Sequence, residues 1–393
     1  MKKFIFLLIL VTQLACKQNN PFTYSLVIEN VGLFDGHENL GIVNIAIQGD
    51  SIANISIEKI EGDSIIDGSD KFIIPGLVNG HVHTWKPEDL KESYDSGILT
   101  MVNLHQVNES IDNELKQYRD SIGYARLYSA GIAATVPGGH PTQYGNIETI
   151  NDTTSIKQFV KNRIENGADL IKIIRDSSAY PPNFKISPTL SYLQIKNVID
   201  EAHRNNKKAV VHIQNLKDLI NISKLKPDGF VHMWFFKADL LVNDVNIIKN
   251  AKTFIMPTAL TQKRTIEFAK KDTTGIKEWA LNSFTSMETM KKEISKLYQA
   301  NIPILSGTDS PNLGINYGDD LINELLILKD AGLPNIAVLE TATGNAAKYL
   351  DIEGNGQIDI GSKANFLILN SNPIDNLEAL RNIHSIWKNG KTK

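Results

Sequence analysis

Two histidines one residue apart, His81 and His83, follow an apolar run and the pair Pro75-Gly76. Side chains alternate between the two faces of a strand, so both imidazoles would point the same way and Val82 the other. Imidazole is the commonest protein metal ligand, and a pair on one face suits one ion. Taken alone, the motif is better read as two solvent-facing histidines on a half-buried strand. Four further residues reverse that balance. Lys172 lies inside the run LIKII, which is apolar on both faces and so reads as buried on both sides. Burial disfavours the ammonium form, and a neutral lysine can add carbon dioxide to become a carboxylate-like bridging ligand. His212 closes KAVVH, His232 closes GFVH and Asp309 ends ILSGTD. Each has an ordinary structural alternative: a lysine reaching the surface or paired with an acid, a satisfied core histidine, a helix N-cap. Their occurrence in order at strand ends is harder to explain structurally.

The elements that must position these residues follow from hydrophobic periodicity. Strands are expected at 78–83, 100–103, 125–130, 170–174, 209–213, 230–232, 253–257 and 304–309, alternating with amphipathic helices. Eight parallel strands over about 250 residues match a (β/α)8 TIM barrel, whose active sites lie at the C-terminal strand ends. One helix is marked by a capping box of Ser191 and Gln194, with Ile195, Val198, Ile199 and Ala202 on one face. Another is expected over 320–330, stopped by Gly332 and Pro334. Short strands with turn punctuation occupy both ends of the chain, so the termini are expected to combine into one small β-domain. The predicted organisation is a leader at 1–16, β-domain parts at 22–74 and 350–393, and the barrel at 75–349.

The 393 residues carry 42% hydrophobic and 22% charged side chains, ordinary values for a folded globular protein. Basic residues are dispersed, with no stripe interleaved with aromatics, which argues against nucleic acid as a partner. At the N-terminus Lys2 and Lys3 precede the apolar run FIFLLILV, too short to span a bilayer, and then Leu14-Ala15-Cys16. Loss of that leader takes the formal charge from -3 to -5. Cys16 is the only cysteine, and its position resembles the lipidation site of a bacterial lipoprotein, although Gln13 stands where an aliphatic residue is usual. The alternative is a secreted protein with a spare cysteine. With Cys16 lipidated, the protein would be membrane-anchored in the cell envelope, and any metal would bind through histidine or carboxylate.

The chain as a whole resembles the amidohydrolase superfamily, near the branch of imidazolonepropionase-like proteins and Xaa-Pro dipeptidases. The segments that carry the resemblance are PGLVNGHVH (75–83), GADLIKI (167–173), EAHRNNKKAVVHIQ (201–214), the His232 strand end, SGTDS (306–310), TATGNAAKYL (341–350) and GSKANFLIL (361–369). The resemblance implies a TIM barrel with a composite β-sandwich from both termini. It also implies two divalent metal ions, usually zinc, one held by His81, His83 and Asp309 and the other by His212 and His232. Carboxylated Lys172 would bridge them, a metal-bridging hydroxide would attack a carbonyl carbon, and Asp309 would pass the proton to the leaving nitrogen. His140, in PGGH, stands where the relatives place a substrate-binding histidine. Three positions depart from the usual pattern: Asn79 before the His-x-His, Gln214 after His212 and Met233 after His232. His37, His203 and His384 read as structural or solvated, and His105 is left open.

The expected function is hydrolysis of a non-ester C–N bond in an amide, short peptide or cyclic amide, with a dipeptidase first. A cyclic amidohydrolase or deacetylase is the next reading, and a one-metal deaminase gives Lys172 no role. From another class, the chain could be a lipoprotein that binds a small molecule without turnover. Homo-oligomerisation is compatible with the sequence.

Overall fold

The computed structural model describes residues 23–180, 185–273 and 276–393. The leader at 1–16 and Cys16 lie outside the described residues. Among those residues no helix is long and apolar enough to cross a membrane.

Seven parallel strands of the barrel form where the apolar runs lie: Leu77–Val82, Ile98–Asn103, Arg126–Ser129, Ile171–Ile174, Ala209–His212, Gly229–Val231 and Phe254–Met256. Ile171–Ile174 and Ala209–His212 are buried along their whole length, as strands covered on both faces must be. The third and fourth strands are joined through Ala134, whose amide donates to the Lys172 carbonyl at 2.8 Å and whose carbonyl accepts from Ile174 at 2.9 Å.

The expected eighth strand is irregular. Ile304 bridges to Ile255 and Ser310 to Val82, and regular pairing is lost between them because Asp309 takes a left-handed backbone with φ 63°. The segment still closes the barrel: Gly80 donates to Ser306 at 3.0 Å and Asp309 to His81 at 2.8 Å. Closure needs two glycines, for a Cβ on Gly80 would meet Met256 Cε at 2.5 Å and one on Gly307 would meet the His81 amide nitrogen at 2.9 Å.

The helix Tyr192–Arg204 has the expected capping box of Ser191 and Gln194 and buries Ile195, Val198, Ile199 and Ala202. The helix Asp320–Asp330 also forms, and Gly332 follows it with φ 95°.

The strands of the two termini join in one eight-stranded sheet. Leu26–Phe34 is its branch point, pairing with Ile65–Asp67 through residues 27–29 and with Phe72–Pro75 through residues 32–33. Phe72–Pro75 pairs antiparallel with Phe366–Leu369 from the C-terminal end, and only Gly76 separates it from the first barrel strand. Phe366 stacks on Trp387 with ring centroids 5.5 Å apart. His37 ties this sheet to the barrel, with Nδ1 3.3 Å from Glu340 and Nε2 2.7 Å from Gln357.

Candidate metal centre and active site

A cavity of about 460 Å³ opens at the C-terminal ends of the barrel strands, and His81, His83, Lys172, His212, His232 and Asp309 all line it. His140 stands in its wall with its ring 5.1 Å from that of His212. The histidines form a continuous row: ring centroids are 5.3 Å apart for His83 and His81, 4.9 Å for His81 and His232, and 4.7 Å for His232 and His212.

Local backbone strain aims two of these side chains. His232 and Asp309 both have positive φ, 68° and 63°, conformations that cost non-glycine residues about 1–3 kcal/mol and persist only where the surroundings hold them. Thr258, also left-handed with φ 47°, sets its hydroxyl 2.7 Å from His232 Nδ1 and so leaves Nε2 facing the cavity. His83 Nδ1 donates to the His105 carbonyl at 3.3 Å, which turns its Nε2 toward Asp309. Asn79 links the first strand to the closing segment: its amide donates to Thr308 Oγ1 at 2.8 Å, and its carbonyl oxygen accepts from the Thr308 amide at 3.1 Å.

Electrostatics prepare the set for a cation. Burial, reinforced by the charge of nearby Lys172, pushes His81 well below the usual histidine range. Burial does the same to His212, and it takes His232 down to about 3. Neutral imidazoles present lone pairs. Burial also lowers Lys172 to about 7, against the attraction of Asp309. Asp309 is pushed up by burial, but the His83 hydrogen bond and the charges of its neighbours hold it below the usual carboxylate range.

The residues fit a divalent metal. His83 Nε2 stands 3.1 Å from Asp309 Oδ1, close enough that a proton or a metal ion must lie between them. His81 Nε2 approaches the same oxygen at 3.2 Å, while His81 Nδ1 is buried without a partner. Such convergence of acceptors calls for a positive charge between them. Carbonyl and hydroxyl partners on the far nitrogens of His83 and His232 are the outer hydrogen bonds that orient metal-ligating histidines. His81, His232 and Asp309 each offer one ligand atom within 4.8 Å of the others. This tight trio draws on both of the ion sites expected from the sequence, and His83 joins it through Asp309.

Several residues of the cavity escaped the sequence reading. Trp85 and Phe235 line it from positions just after His83 and His232, where chain order alone gives no direction. His105, left open above, also lines it, and burial holds its imidazole at about 3. Thr261 and Thr265 enter from the helix Ala259–Lys271. His203 pairs with Asp228 at 2.8 Å on a helix, and His384 lies in the strand Ile383–Lys388 of the terminal sheet.

The comparisons with known proteins fall where this geometry points. The chain is 25% identical to a 5'-deoxyadenosine deaminase of Methanococcus maripaludis (strain C7), over 84% of this chain and 83% of that protein. It is 22% identical to a 5-methylthioadenosine/S-adenosylhomocysteine deaminase of Thermoanaerobacter pseudethanolicus, over 88% and 85% of the two chains. Among solved structures, an Xaa-Pro dipeptidase with bound methionine in the active site superposes with a TM-score of 0.80 at 20% identity, over 94% of this chain and 99% of that one. Ochratoxinase of A. niger superposes with a TM-score of 0.77 at 18% identity, over 94% and 95%. Residues 72–393, the whole barrel and the C-terminal strands, match the amidohydrolase family, and the chain belongs to it.

Proposed function

We propose that this chain hydrolyses a non-ester C–N bond of a small molecule or short peptide, with divalent metal in the histidine row and Asp309 as general base. The observation that carries this reading is the meeting of four imidazoles, a buried lysine and an ionised carboxylate in one cavity at the C-terminal mouth of the barrel. His81, His83 and Asp309 would hold one ion and His212 and His232 a second, with Lys172 between them. Divalent metal bound there supplies an acidified water and polarises a carbonyl.

The protein groups do the rest. Asp309 takes the proton of the attacking water and returns it to the departing nitrogen, a shuttle that requires the ionised form its neighbours favour. The Lys172 amine, with a substantial neutral fraction near pH 7, adds to carbon dioxide and loses a proton, giving a carbamate whose two oxygens can serve two ions. His140 contacts the substrate. The deaminases named above remove an amino group and the Xaa-Pro dipeptidase splits a dipeptide, which supports a C–N bond as the target. Deamination is the second reading, favoured by the deaminases that align over most of this chain.

A screen of metal-loaded protein against N-acyl amino acids, dipeptides, lactams and aminopurine nucleosides tests this. Turnover that a chelator removes and Asp309→Asn lowers by about 10²–10⁴ is expected. Ammonia released from the nucleosides alone would select deamination. A metal-loaded protein that turns over none of these compounds would leave a binding protein. Anchoring in the envelope through Cys16 is a separate proposal, supported by the leader; labelling with radioactive fatty acid, lost in Cys16→Ser, tests it.

A further inference from the structure

The cavity contains a hydrogen-bond donor that the chemistry above leaves unused. His105 follows the second barrel strand, is 4% exposed and lines the cavity. Its Nδ1 accepts from the Ala133 amide at 3.2 Å. A backbone N–H can only donate, so Nδ1 carries a lone pair, the ring is neutral and its proton sits on Nε2. That Nε2–H is buried and has no acceptor among the described residues. Buried donors are nearly always matched, and an orphan in a cavity wall points to an acceptor on whatever fills the cavity.

The walls meanwhile hold no cation to spare. Among the described residues, Lys172 is the only lysine or arginine that lines the cavity, and it belongs to the metal set. Arg175, next to Ile174, turns away to Asp218 and stacks on Tyr192. Arg264, on the helix that lends Thr261 and Thr265, faces Glu267 and Asp320. Segment 181–184 reads Pro-Pro-Asn-Phe and contributes no charge of its own. Trp85, Leu104, Ile174, Phe235 and Leu313 make much of the remaining wall apolar.

We infer that the substrate is uncharged beyond its scissile bond: an apolar group bearing a neutral acceptor oxygen, which takes the His105 Nε2–H. The inference rests on reading this cavity as a C–N hydrolase site, and it narrows that reading away from dipeptides with a free terminal carboxylate. A carboxylate here would lose its water and gain no guanidinium or ammonium in return.

Matched pairs of N-acyl amino acids and dipeptides, each as the free acid and as its C-terminal methylamide, test it by equilibrium binding and by turnover. The neutral member of a pair should bind roughly tenfold or more tightly than the acid. His105→Phe should weaken the neutral member about fivefold and leave the acid unchanged, with partial recovery in His105→Gln, which keeps an N–H. Acids that bind as well as their methylamides, a His105→Phe loss equal for both, or no binding by any neutral member would each overturn the inference. Neutral preference in binding with no turnover would sustain it and remove the hydrolase reading instead.

Discussion

His83 Nε2 and Asp309 Oδ1 lie 3.1 Å apart, although 226 residues separate them in the chain. The contact spans the seam that closes the barrel, so one carboxylate oxygen meets a first-strand histidine only if the ring of strands is complete. Removing either partner should therefore damage chemistry more than fold. Asp309→Asn is expected to lower kcat by about 10²–10⁴, the usual range for a general base, while the near-isosteric amide keeps the backbone and the fold. His83→Ala should weaken metal binding at least tenfold. Steady-state kinetics and metal titration separate the two, and an Asp309→Asn enzyme of normal kcat would end its assignment as the base.

Lys172 sits at 2% exposure among the histidines, and its burial has a purpose only if the amine is neutral or modified. Two ions per chain are expected in protein loaded under bicarbonate, falling in Lys172→Ala and partly regained with a short-chain carboxylate. Elemental analysis reads the count. One ion per chain, unchanged by Lys172→Ala, rules out the two-ion arrangement and leaves the trio of His81, His232 and Asp309.

The strand-end residues were legible because a strand gives each side chain a face and a barrel gives each strand end a common mouth. His81, His83, Lys172, His212 and His232 needed no more than that, and they share one cavity. Asp309 was legible as a residue while its backbone was not: a regular strand at 304–309 would turn its side chain elsewhere, and an aspartate only mildly favours the left-handed φ that aims it, too weak a preference to read at one position. His105 and Phe235 escaped because loop residues have no periodicity to fix their direction. Asn79, read as a departure from the usual pattern, has a role that depends on tertiary contact alone, since its partner Thr308 is 229 residues away.

Glu324 caps a helix that cannot cap itself. Thr258 makes no side-chain bond to the first turn of Ala259–Lys271, and the Glu324 carboxylate instead accepts from the amides of Ala259 at 2.9 Å and Leu260 at 2.7 Å. Glu324→Ala should cost about 1–3 kcal/mol by leaving two buried donors unmatched. Burial raises the carboxyl to about 7 from 4.5, in part offset by those amides. Below about 4.5 the group is protonated folded or unfolded and costs nothing extra. Above about 7 it is ionised in both states, and the folded protein bears the full penalty, on the order of 3 kcal/mol. Wild type should therefore lose stability relative to Glu324→Gln as pH rises from 5 to 8. Urea denaturation at both values measures this, and a constant difference would mean that the helix N-terminus already offsets the burial.

Gly307 tests whether the site depends on the seam. Its φ is ordinary, so the demand is for space: a Cβ would collide with Met256 Sδ and stand 2.8 Å from His81 Cβ and 2.9 Å from the His81 amide nitrogen. Met256 can give way, but the first strand cannot do so without carrying His81 off Asp309. Gly307→Ala should cost about 1–3 kcal/mol through overpacking and weaken metal binding as well. Gly41 offers the contrast, since its φ is +73° and nothing lies within 4 Å of an added Cβ. Gly41→Ala should cost about 1 kcal/mol of backbone strain and leave metal affinity untouched. Calorimetric melts with metal titration on both variants distinguish the cases. Equal metal affinity in the two would mean that the His81–Asp309 geometry survives a shift of the seam, and that the ligands rather than the barrel closure set the site.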